Sequence, residues 1–188
     1  CQYQILTFAD SSYSGLPISN WFWDFGDGTT MTYNNYLNPV THSYDSSGTY
    51  LVRMAVTTDV AGKAITDSAS MLVQVIASPS ANYSMNRNCF GTTAKFTNVT
   101  ATNGVPVQGY SWNFGEPSSA PADTSSLKNP EHLYSAPGFY SIRLIAENIL
   151  GCRDTITQDL QVHPLPTADF ENSLSCAGDQ TLFTDLSD

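Results

Sequence analysis

The side chains able to do chemistry are few and thinly spread. Asp24 and Asp27 stand three apart in Trp23-Asp24-Phe25-Gly26-Asp27-Gly28. Two carboxylates at that spacing can act as acid and base or share a cation. A calcium ion, however, takes roughly six to eight oxygens, and Asp27-Gly28 also reads as a tight turn. Asp24 and Asp27 are therefore weak calcium candidates, and no other cofactor is expected. His42 and His132 each stand two residues before a tyrosine, Tyr44 and Tyr134. No His-x-x-x-His or Glu-x-x-His spacing accompanies them, so they read as loop histidines that fix the turn before the next strand. His163 falls in a linker. There is no Gly-x-Ser-x-Gly, phosphate loop or dinucleotide fingerprint, and no helix follows Gly26-Asp27-Gly28. No catalytic residue is assigned, and the chain is not expected to be an enzyme.

Composition narrows the partners. The 188 residues hold 7 Lys+Arg against 17 Asp+Glu, a formal charge of −10. A nucleic-acid binder needs a basic face, and an electrostatic membrane contact needs a polybasic patch; both are excluded. No apolar run approaches the roughly 20 residues that span a bilayer. Hydrophobic residues at 41% and aromatics at 12% suffice for packed cores.

The elements that must position these residues repeat. Cys1, Cys89 and Cys176 are spaced by 88 and 87 residues. Trp23-Asp24-Phe25-Gly26-Asp27 matches Trp112-Asn113-Phe114-Gly115-Glu116. His42-Ser43-Tyr44 matches His132-Leu133-Tyr134, and Gly48-Thr49-Tyr50 matches Gly138-Phe139-Tyr140. Pro79-Ser80-Ala81-Asn82-Tyr83 matches Pro166-Thr167-Ala168-Asp169-Phe170. The period predicts a repeat over 1–77 lacking its first strand, a complete repeat over 78–163, and the first strands of a third over 164–188. Prolines at the joints stiffen them.

Nothing reads as a helix. Segments of alternating polarity recur between Gly, Pro, Asn, Asp and Ser clusters. In the second copy strands are predicted near 81–86, 93–99, 107–114, 139–147 and 154–162. Trp21, Trp23 and Phe25 share one strand face, as do Tyr110, Trp112 and Phe114. Phe22 points the other way and is the candidate exposed aromatic for a neighbour or a glycan. The fold class is all-β, with two sheets per unit burying one face each.

Trp23-Asp24-Phe25-Gly26-Asp27-Gly28, His42-Ser43-Tyr44, Gly48-Thr49-Tyr50 and Val52-Arg53-Met54 resemble the motifs of the PKD (polycystic kidney disease) domain. That resemblance implies immunoglobulin-like β-sandwiches arranged as beads, each adding about 35–40 Å. It makes Trp23, Asp24, Phe25, Gly26, Asp27, Gly28, His42 and Tyr44 structural, with Trp112, Phe114, Gly115, His132 and Tyr134 as their counterparts. In such a sandwich Tyr44 and Tyr134 are corner tyrosines whose hydroxyls bond the backbone. The second copy departs from the motif at Asn113 and Glu116, and a longer loop runs to Lys128.

Four cysteines suit an oxidising compartment. The implied topology sets Cys89 and Cys152 roughly 25 Å apart, beyond disulfide reach, and favours an interdomain Cys1–Cys152 bridge. An intradomain Cys89–Cys152 bond and free thiols stay open. Gly151-Cys152-Arg153-Asp154-Thr155 and Cys176-Ala177-Gly178 are similar to repeats of giant Bacteroidetes surface proteins, including gliding-motility adhesins exported by the type 9 system. Asp67-Ser68-Ala69 and Asp154-Thr155-Ile156 resemble the O-glycosylation motif of secreted proteins in that group, which marks Ser68 and Thr155. These resemblances imply a non-catalytic extracellular stalk at the cell surface, with neighbouring repeats, other filament chains or surface glycans as partners. The alternative is a spacer or substrate-binding module of a secreted hydrolase.

Overall fold

A computed structural model describes residues 1–37, 39–86, 88–174, 176–178 and 180–187. It divides into two compact units. The first comprises Cys1–Ser80 with Ala101–Gln108 and Ala146–Asp154, and the second Ala81–Thr100, Gly109–Ile145 and Thr155–Asp188.

Six strands build the first unit: β1 (Ile5–Phe8), β2 (Ile18–Asp24), β3 (Thr30–Tyr33), β4 (Val40–Ser43), β5 (Gly48–Val60) and β6 (Lys63–Val75). One sheet runs β3-β2-β5-β6 and the other is β1-β4. The strand pairs among these described residues are antiparallel; Trp23 lies opposite Met31 on one side and Met54 on the other. Alternation along β2 turns Trp21 and Trp23 inward. The two sheets enclose Phe8, Trp23, Phe25, Val40, Tyr44, Val52 and Val75. Trp21 is buried outside that cluster, where its indole N–H donates to Asp10 Oδ2 at 2.8 Å and its ring meets Tyr36. Phe22 is half-buried rather than exposed.

The second unit is built on β7 (Tyr83–Met85), β8 (Asn88–Cys89), β9 (Ala94–Asn98), β10 (Val107–Asn113), β11 (Thr124–Ser125), β12 (Glu131–His132), β13 (Gly138–Asn148) and β14 (Arg153–His163), although residues 107–108, 146–148 and 153–154 of these strands are counted with the first unit. One sheet runs β11-β10-β13-β14-β8 and the other β12-β9-β7. Between them lie Tyr83, Phe96, Trp112, Phe114, Ile142, Leu144 and Leu160. Long strands with alternating apolar residues sit where the sequence places them. The two-residue strands β8, β11 and β12 do not announce themselves, because two residues carry no periodicity. The loop from Glu116 is also less plain than expected: it holds a 3₁₀ turn at Pro117–Ser119, and β11 pairs back onto β10. A last hairpin joins β15 (Phe170–Asn172) to β16 (Phe183–Asp185).

Candidate functional site

The motif residues gather in each unit into a column that starts at the end of the tryptophan strand. Asp24 Oδ1 accepts the Gly26 amide at 2.9 Å. Asn113 Oδ1 accepts the Gly115 amide at 3.2 Å. The position needs a short side chain with an acceptor oxygen, not a charge, so aspartate and asparagine serve equally. The glycine that follows is dictated by space. Gly26 has φ +78°, and a Cβ there would lie 2.7 Å from the Leu51 carbonyl oxygen. Gly115 has φ +76°, and its Cβ would lie 2.7 Å from that of Ser141.

The next acidic residue reaches the histidine. Asp27 Oδ1 accepts the Thr29 amide at 2.9 Å, and its Oδ2 lies 2.7 Å from His42 Nε2. In the second unit Glu116 Oε2 lies 2.9 Å from His132 Nε2. A carboxylate only accepts, so the ring nitrogen carries the proton in both pairs. Glu116 Oε1 also takes the amide of Ser135 at 2.8 Å and its hydroxyl at 2.6 Å. Burial works to raise the Glu116 carboxyl, but the Ser135 hydroxyl and amide and His132 outweigh it and hold it below the usual range. Asp27 is likewise depressed: burial opposes, while His42 and Thr29 prevail.

The histidine ring is clamped between aromatics. His42 stacks on Phe25 with centroids 4.1 Å apart and meets Tyr44 edge-on at 4.7 Å. His132 does the same with Phe114 at 4.5 Å and Tyr134 at 4.6 Å. Each tyrosine then packs on the next, Tyr44 on Tyr50 and Tyr134 on Tyr140. The Tyr44 hydroxyl donates to the Phe25 carbonyl at 3.0 Å, and that of Tyr134 to the Phe114 carbonyl at 3.1 Å. Burial, helped by the nearby Asp27 charge, pushes the Tyr44 phenol up to about 12. Burial and Glu116 push Tyr134 up as well.

This arrangement holds a chain reversal in place. Each carboxylate is occupied by backbone amides and a histidine. Among the described residues no three His, Cys, Asp or Glu side chains come together as a metal site. The weak calcium candidates Asp24 and Asp27 direct their described bonds to Gly26, Thr29 and His42. Gly28 is an exposed turn residue.

Two residues of weight carry no signal in the repeat. Asp123 closes the longer loop of the second unit: its Oδ1 accepts the Glu116 amide at 2.6 Å, and its Oδ2 accepts from Asn113 at 2.9 Å. Asn148 is fully buried in the first unit. Its Oδ1 accepts the Leu150 and Cys152 amides, each at 3.0 Å, and its amide donates to Ala77 O at 2.9 Å. An asparagine before a Gly turn is the only clue to that role.

Cys1 and Cys152 are joined by a disulfide, with Cα atoms 5.6 Å apart and a sequence separation of 151. Both belong to the first compact unit. Cys89 and Cys176 are free and exposed. Cys89 lies in β8, beside His163 of β14. Ser68 and Thr155 are exposed, on β6 and β14.

A family model described as "PKD domain" matches residues 2–73 and again 76–163. The chain belongs to the PKD domain family. It carries the domain twice in tandem, on immunoglobulin-like sandwiches. PKD domains are typically extracellular and generally non-catalytic, and the disulfide fits an extracellular setting. No helix among the described residues is long and apolar enough to cross a membrane. Among solved structures the chain is similar to the PKD1 domain of Vibrio anguillarum Epp, at 22% identity and TM-score 0.43, over 47% of this chain and 98% of that one. It is similar to the PKD1 domain of the Vibrio cholerae metalloprotease PrtV, at 23% and 0.41, over 46% and 99%. A fibronectin(III)-like module structure of Clostridium thermocellum CbhA matches at 14% and 0.40, over 87% of each chain.

Proposed function

We propose that this tandem PKD segment is a non-catalytic stalk of a large extracellular adhesin, of the surface-motility type. The observation that carries the reading is the repetition itself. The same column is built twice, 89 to 90 residues apart in sequence, from Trp23 to Tyr50 and from Trp112 to Tyr140. What repeats is the structural frame, since the loops around it differ. A chain with 17 acidic and 7 basic residues keeps neighbouring copies apart in solution. Long antiparallel ladders such as β5–β6, paired along all thirteen residues of each strand, suit a load-bearing module.

The mass of the native polypeptide that contains this segment tests the reading. Several hundred kilodaltons with the same period throughout supports a stalk. A mass nearer one enzyme, with a non-repeat catalytic domain attached, replaces it with an accessory module of a secreted hydrolase. Mass mapping of glycopeptides tests the Ser68 and Thr155 sites; unmodified native peptides remove them.

A further inference from the structure

One turn of the repeat occurs three times and differs once. Tyr3, Gly91 and Gly178 each stand two residues after a cysteine, Cys1, Cys89 and Cys176. All three lie in the left-handed region, at φ +62°, +79° and +98°. In the first two copies the turn closes alike: Gln4 N donates to Cys1 O at 3.3 Å, and Thr92 N to Cys89 O at 3.1 Å. Glycine takes this conformation freely, whereas a residue with a Cβ does so at a cost. Tyr3 nevertheless stands there, outside the buried cluster of its unit and 68% exposed. Strain of this kind gathers at functional sites.

Tyr3 lines a cleft of about 370 Å³ in the first unit, with Gln2, Gln4, Asn103, Arg153 and Asp154 around it. Small-molecule sites begin at roughly that size. Its walls are tied together. Gln2, Tyr3 and Gln4 follow Cys1, Arg153 and Asp154 follow Cys152, and the disulfide joins the two cysteines. Asn103 Nδ2 donates to Ser78 O and Ser80 Oγ, each at 2.9 Å, and secures a third side. Arg153 Nε donates to Glu147 Oε2 at 2.8 Å, which orients a guanidinium with four further N–H groups. The segment that precedes the cysteine takes no part in this turn. In the second unit Asn88 lies beside Val162 of β14, whereas the Phe90 amide already reaches the last residue of that strand, His163.

The lining selects a class of ligand. One arginine faces one aspartate in a chain of net charge −10, so an anion gains little. The guanidinium repels a metal ion, and no metal cluster occurs among the described residues. Apart from the Tyr3 ring and Pro79 the lining is polar, which gives an apolar side chain no pocket. A neutral molecule with many hydroxyls and one C–H-bearing face fits. Amides, a carboxylate and a guanidinium bond hydroxyls in pairs. The negative face of an aromatic ring attracts the weakly positive C–H groups of a sugar.

We propose that this cleft binds a neutral saccharide, with Tyr3 as the stacking platform and Arg153, Asp154 and Gln4 as hydroxyl partners. The site goes beyond the stalk reading and stands apart from it, because an accessory module of a hydrolase would carry it equally well.

Titration of the oxidised 188-residue chain with cellotriose, mannotriose and chitotriose, followed by backbone amide chemical shifts, tests this. The expected result is saturable binding of at least one probe, with a Kd on the order of 1 mM. The shifts centre on residues 2–4, 103 and 153–154. Tyr3→Gly folds, since glycine holds the same position at 91 and 178, and weakens binding about tenfold or more. Tyr3→Phe keeps the ring and retains binding. Absence of saturable binding by all three probes, shifts centred elsewhere, or binding unaltered by Tyr3→Gly overturns the proposal. The native mass that tests the stalk is independent of each of these results.

Discussion

Glu116 and His132 are held 2.9 Å apart, each with a side chain at most 4% exposed. The pair sits under Tyr134, and Glu116 at the same time secures the Ser135 amide and hydroxyl. In the first unit Asp27 and His42 form the same pair at 2.7 Å, with more solvent around the carboxylate.

Glu116 contributes a pH-dependent stability. Its carboxyl is depressed in the folded chain. The contribution is therefore fully present above the ordinary glutamate range and is lost as pH falls through the lower folded value. Glu116→Gln costs about 1–3 kcal/mol at neutral pH and flattens the acid limb. Urea unfolding at several pH values reads this; an unchanged acid limb sinks it.

Gly115→Ala meets two obstacles at once. The backbone is left-handed there, and the added methyl would lie 2.7 Å from the Ser141 carbonyl oxygen. The expected loss is about 2 kcal/mol or more, and Gly26→Ala behaves alike against Leu51. Thermal unfolding measures it, with Gly109→Ala, where a Cβ meets nothing within 4 Å, as the mild comparison.

The buried tyrosines resist ionisation. Tyr44 and Tyr83 are each pushed from an ordinary 10.0 up to about 12, chiefly by burial. The unfolded chain releases those protons first. Stability is thus complete below about 10 and declines as pH rises toward about 12. Phenolate absorbance should show a late-titrating class in the native chain that merges with the rest in denaturant. Tyr134→Phe should cost about 1 kcal/mol, the worth of its bond to Phe114.

The disulfide closes a long loop, its cysteines separated by 151 positions in sequence. Cross-linking at that separation limits the unfolded chain and is worth about 3–5 kcal/mol. Cys152→Ser should lose that amount by chemical denaturation. Non-reduced peptide mapping should link residue 1 to residue 152, and a thiol reagent should label Cys89 and Cys176 in the native chain.

Much of this fold could be read before any coordinates. Alternation along 107–114 and 139–147 located β10 and β13, since a half-buried strand must alternate. The period of 87 to 88 residues revealed the tandem sandwiches, and the tryptophan motif identified the family. Short strands were invisible, because β8 exists only through its parallel pairing with Val162 and His163. So was Asp123, whose value lies in amides brought to it by the Glu116 loop.

By itself, then, the sequence determined which faces are apolar, where the chain turns and that the unit recurs. Those properties are local, set by side-chain period and backbone sterics. Only the tertiary structure decided which partners meet. It set His42 and His132 between aromatics, aimed Glu116 at Ser135, and joined Cys152 to Cys1 rather than to Cys89. Cys89 lies beside the C-terminal end of β14, whereas Cys152 immediately precedes its first residue. An extended strand of that length runs about 33 Å, too far for a disulfide. It also left Met54 and Met71 facing a cleft that Tyr83 fills in the other unit. Those outcomes depend on residues distant in sequence arriving at one place, which no local pattern encodes.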